Sequence, residues 1–67
     1  MKEHVKRMEE ELKELSTKLV GLDNFIEHNE QFVLLEDIDK LLMSTQSVHM
    51  TWYRNVLEER ISSAKQK

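Results

Sequence analysis

From Val5 to Ile26, apolar residues recur at intervals of three and four without a fault: Val5, Met8, Leu12, Leu15, Leu19, Leu22 and Ile26. That spacing is the a/d seam of a helix that packs along another helix. It is the most restrictive structural signal in the chain. The expected helix runs from about Lys2 to about His28, and Phe25 widens its seam near the C-terminal end. Glu9 with Lys13 and Glu14 with Lys18 are i,i+4 pairs in the favourable order, each contributing roughly a few tenths of a kcal/mol. Gly21 sits inside this helix at a cost of about 1 kcal/mol relative to Ala. A close backbone approach by another helix would account for it, and so would a local bend.

A second helix is expected from Glu36 or Asp37 to about Ser62, with no Gly or Pro to interrupt it. Glu36, Asp37 and Asp39 suit the positive end of its dipole, and the tail beyond Ser62 should fray. At about 100° per residue its apolar residues form two adjoining stripes. Ile38, Leu41, Leu42, Val48, Trp52 and Val56 make the first; Met43, Met50, Leu57 and Ile61 make the second. Together they cover roughly 220° of the helix surface, against the roughly 100° stripe of an ordinary surface helix. One partner helix cannot cover that arc, so at least two partners are implied.

Between the helices lies a connector, about Asn29 to Leu35. Asn29 suits the left-handed conformation that ends a helix. Phe32, Leu34 and Leu35 are expected to fold back over the end of the hairpin. A strand at Gln31–Leu35 would have no partner and is rejected. The fold class expected is all-α: an antiparallel helical hairpin, one domain, assembling into a homo-oligomeric helical bundle.

Composition narrows how such a chain is stabilised. Sixty-seven residues bury a small core, and natural chains of this size lean on staples or on oligomerisation. There is no Cys, hence no disulfide, and no His/Cys cluster with zinc-site spacing. Self-association is the remaining route. The lack of Cys suits a reducing cytoplasm. Charged residues are 34 % of the chain and the formal net charge is -3, which argues against coating DNA. No apolar run reaches the ~18–20 residues of a membrane span, and MKEHVKRMEE has no apolar core of a signal peptide.

No catalytic constellation appears: no Gly-rich phosphate loop, no nucleophile elbow, no HExxH. The expectation is a non-enzyme without metal or cofactor. The residues that invite a binding role are Gln46, His49, Trp52, Tyr53, Arg54 and Arg60. Gln46, Tyr53 and Arg60 are seven apart and share one heptad position. They either fix register through hydrogen bonds at the core edge or line a pocket between subunits. Trp52 and Tyr53 beside Arg54 and Arg60 could stack on a base and pair with a phosphate. Alternatively the rings are core residues and the arginines bond carboxylates of the first helix. His49, the one histidine on the apolar arc, reads first as a hydrogen-bonded core residue.

The pattern as a whole resembles a family of short helical-hairpin proteins of tailed phages and prophages. The residues that carry the resemblance are EELKEL, then KLVGLDNFI, then F-x-x-L at Phe32–Leu35, then Leu41–Leu42. In the second helix it is carried by Q-x-x-x-M-x-x-Y-x-x-x-L-x-x-R-I from Gln46 to Ile61. That family is similar to the hairpin domain of phage anti-CBASS and anti-Thoeris sponge proteins. The resemblance implies a multimer, hexamers among the known forms, that binds cyclic dinucleotides, trinucleotides or cyclic ADP-ribose derivatives at subunit interfaces without cleaving them. It implies Tyr53 and Arg60 as the aromatic and basic groups of such a site. The competing expectation is a structural or protein-binding module, with the wide arc serving as oligomer core or as a groove for a host protein helix.

Overall fold

A computed structural model describes residues 2–66 of the chain. Three helices follow one another: α1 (Lys2–His28), α2 (Glu30–Val33) and α3 (Asp37–Lys65). The two long helices pack against each other as an antiparallel hairpin. The molecule measures 48 × 15 × 13 Å, with a radius of gyration of 15.1 Å. A compact chain of this length would have a radius near 11 Å. The hairpin is a rod, and a rod has little interior.

The α1 seam packs as its spacing predicts. Met8, Leu15 and Leu19 are buried, and Val5, Leu12, Leu22 and Ile26 are half-buried. From α3 the side facing α1 is the second of the two predicted stripes. Leu57 and Ile61 are buried, while Met43 and Met50 are half-buried. Leu57 is 0 % exposed, and it forms a buried cluster with Met8 and Ile61, flanked by Val5, Leu12 and Ala64. This cluster lies at the open end of the hairpin, where the N-terminal part of α1 meets the C-terminal part of α3.

Two polar links tie the helices in register. The Ser47 hydroxyl donates to Asp23 Oδ1 in a half-buried position on the connector side of the rod. The Lys65 ammonium donates to Glu9 Oε2 at 3.1 Å near the open end. Glu9 therefore pairs across the hairpin and not with Lys13 as its spacing suggests. The cross-helix pair also accounts for the length of α3. It does not fray at Ser62 but continues to Lys65, because Ala64 packs on the core and Lys65 is held by Glu9.

The connector differs from expectation in two ways. Asn29 is not a left-handed cap. Its backbone is extended, and Oδ1 accepts the Gln31 N–H at 2.8 Å, so it caps the start of the one-turn helix α2. An Asn side chain satisfies a free helix N–H at no conformational cost in this geometry. Phe32 does fold back, its ring edge-on to Phe25 with centroids 6.2 Å apart. Leu35 is half-buried, but Leu34 is 82 % exposed and leaves the hairpin end uncovered. Gly21 has open space where a Cβ would stand, so no backbone of this chain approaches it.

Candidate functional site

The first α3 stripe has no partner within the chain. Ile38, Leu41, Leu42, Val48, Trp52 and Val56 are each 54 to 65 % exposed. The physical reason is the width of the arc. Its two adjoining stripes together are wider than one neighbouring helix can cover, and α1 covers only one of them. Trp52 and Tyr53 are therefore not core residues of the hairpin; Trp52 is 65 % exposed.

Overlapping the C-terminal end of this stripe, at the open end of the rod, a groove of about 840 Å³ runs between the long helices. Val5 and Met8 of α1 and Trp52, Val56, Arg60 and Ala64 of α3 form its walls, with His4 and Glu59 adding polar groups. The volume lies within the roughly 300–1,000 Å³ of small-molecule sites. Its lining is mostly apolar, with a few polar groups and one indole. The Arg60 guanidinium is exposed, and among the described residues no carboxylate pairs with it. Glu59 is the one acid on the same wall.

The six residues singled out from sequence do not converge. Trp52 and Arg60 share the groove. Gln46, His49 and Tyr53 are exposed and lie outside it, further along α3. Among the described residues none of Gln46, Tyr53 and Arg60 makes a side-chain hydrogen bond, so register within the hairpin rests on Ser47 and Asp23 instead. Arg54 points elsewhere: it is half-buried, and its Nε lies 3.5 Å from Glu58 Oε1 of the same helix. That Nε is buried and makes no hydrogen bond, so the contact is electrostatic and poorly aligned. Sequence reasoning missed Val5, Met8 and Ala64 as groove residues. All three lie beside the seam that closes the hairpin, and only the pairing of α1 with α3 brings Val5 and Met8 to the same groove as Trp52 and Ala64.

Among the described residues no group of three or more His, Asp or Glu is placed to hold a metal ion, and no helix is long and apolar enough to cross a membrane. No curated protein and no solved structure matches the chain. A family model described as Sequestin matches residues 2–63, nearly the whole hairpin, and the chain belongs to the Sequestin family.

Proposed function

We propose that this chain is a phage anti-defence protein that captures a cyclic nucleotide immune signal and holds it without cleaving it, in the cytoplasm of the host bacterium. The observation that carries the reading is the pairing of Trp52 with an unpaired Arg60 in one apolar groove. An indole face stacks on any nucleobase, for about 1–3 kcal/mol per base. A guanidinium pairs bidentately with a phosphate or pyrophosphate oxygen pair. Val5, Met8 and Val56 lower the local dielectric around that contact. The family's name, Sequestin, suggests sequestration, which supports capture over turnover.

The test is calorimetric titration of the purified protein with cyclic dinucleotides, trinucleotides and cyclic ADP-ribose derivatives, with mass analysis of the recovered ligand. Loss of a charge-assisted hydrogen bond costs about 1.5–3 kcal/mol, so Arg60→Ala should weaken binding by roughly one to two orders of magnitude. Helicity and assembly should stay unchanged. If Arg60→Ala binds as the wild type does, the groove is not the site. If the wild type binds none of the panel, this ligand class is wrong.

A second reading draws on the uncovered stripe of α3. Exposed apolar surface of that extent marks an interaction site. Here the chain is a structural or protein-binding module that engages a host or phage protein. Arg60→Ala would then alter oligomer state or melting temperature, and no nucleotide would shift either.

A further inference from the structure

We infer that the outer face of α1, over Gly21, is a second binding site, and that it takes an uncharged nucleobase. Gly21, Asn24, Phe25, His28 and Asn29 line a notch of about 340 Å³ where the last turns of α1 meet the start of α2. The inference is independent of the ligand reading above, since the notch shares no residue with the groove.

Position separates the two sites. Leu19 is buried in the seam with α3. Gly21 lies about 200° round the helix from it, and Asn24, Phe25 and His28 lie about 140°, 240° and 180° round. The notch therefore faces away from α3 and belongs to neither its apolar stripe nor the groove. From Met8 in the groove to Gly21 is thirteen residues, or about 20 Å along the helix axis.

The glycine has no explanation inside the chain. Gly weakens a helix relative to Ala. Gly21 does not have a positive φ, and a Cβ there would meet nothing within 4 Å. What the missing side chain leaves is a floor of bare backbone that a flat ring can approach closely. The volume lies near the lower end of the roughly 300–1,000 Å³ of small-molecule sites, which suits a single base.

The walls carry the chemistry of base recognition. The Phe25 ring is held edge-on to Phe32, with centroids 6.2 Å apart, and bases stack on aromatic side chains without help from charge. Asn29 Oδ1 accepts the Gln31 N–H at 2.8 Å, so that amide is fixed and its Nδ2 donors are left for a ligand. Asn24 is exposed and, among the described residues, makes no side-chain hydrogen bond. A free carboxamide pairs bidentately with the adjacent N6 donor and N7 acceptor of adenine. No lysine or arginine lines the notch, so a phosphate finds no cation there. The notch fits the base of a nucleotide and not its phosphates.

The experiment titrates the full chain with adenosine and follows the backbone amide of Gly21 by proton–nitrogen correlation spectroscopy. The chain has one glycine, so the reporter is unambiguous. Adenosine should shift that signal saturably, with a dissociation constant on the order of 1 mM. Adenosine monophosphate should match it within about two-fold, for want of a cation. Arg60→Ala, a change in the groove, should leave this binding as it is. Asn24→Ala should weaken it by about five-fold or more. Gly21→Leu fills the notch with a better helix former that meets open space, so the variant should melt no earlier than the wild type. Followed through the side-chain amides of Asn24 and Asn29, that variant should no longer bind adenosine. A Gly21 signal that stays still up to about 10 mM adenosine overturns the inference, and so does a Gly21→Leu protein that binds as the wild type does. Binding that Arg60→Ala removes, or that the phosphate strengthens about ten-fold, puts the base in the groove and also overturns it. If Gly21→Leu changes the mass of the assembly and adenosine leaves Gly21 unmoved, a neighbouring chain fills the notch and the inference falls. Adenosine that shifts Gly21 while the groove binds none of the cyclic nucleotides supports the inference and removes only the ligand reading.

Discussion

Leu57→Ala is the most direct probe of what holds the hairpin together. Among the described residues Leu57 is the one large side chain with no exposed surface, and it is surrounded by Met8, Ile61, Val5, Leu12 and Ala64. Truncating a buried Leu costs about 2–5 kcal/mol through lost transfer energy and the cavity left behind. The narrow rod has few other contacts through which the site could collapse, which favours the upper part of that range. A chain of this length is stabilised by only about 3–10 kcal/mol in total. Each kcal/mol moves the midpoint of a small domain by about 4–8 °C, so a loss of at least roughly 10–20 °C is expected. The assay is thermal unfolding by circular dichroism at two protein concentrations, since association makes the midpoint concentration-dependent. Leu41→Ala is the control. Leu41 lies on the uncovered stripe, so its truncation should leave the hairpin intact and act only through association. A Leu57→Ala protein that melts within a few degrees of the wild type would refute the assignment of the Leu57 stripe as the intramolecular face.

Gly21→Ala should stabilise the chain by about 0.4–1 kcal/mol, because a Cβ meets open space there and Ala restricts the unfolded chain; destabilisation by denaturant titration would mean that another copy packs closely on Gly21. Asp23→Ala leaves the half-buried Ser47 hydroxyl without its acceptor and should cost about 1 kcal/mol in the same titration. Glu9→Gln removes the exposed pair with Lys65 and should cost less than about 1 kcal/mol, an effect that high salt diminishes. Glu59→Gln removes the acid from the groove wall and should tighten binding of an anionic ligand by roughly two- to three-fold, from a Coulomb repulsion of about 0.5 kcal/mol across about 8 Å of water; weaker binding by calorimetry would place the anion away from Glu59.

What the sequence determined by itself was periodic. The a/d run of α1, the uninterrupted course of α3 and the two apolar stripes follow from residue spacing, because a helix converts spacing into angle. Spacing also established that Ile38–Ile61 carries more apolar surface than one partner helix can cover. It could not say which stripe α1 would take, because both are apolar and differ only in angle. Tertiary packing decided that Met43, Met50, Leu57 and Ile61 face inward and that the larger stripe faces outward. Spacing alone already separates Arg54 from Trp52, since a side chain two residues along a helix points about 200° away. Partners at long sequence separation were likewise invisible. Nothing local distinguishes Ser47 as the contact of Asp23, or Lys65 as that of Glu9, because cross-helix register depends on how the connector from Asn29 to Leu35 turns the chain.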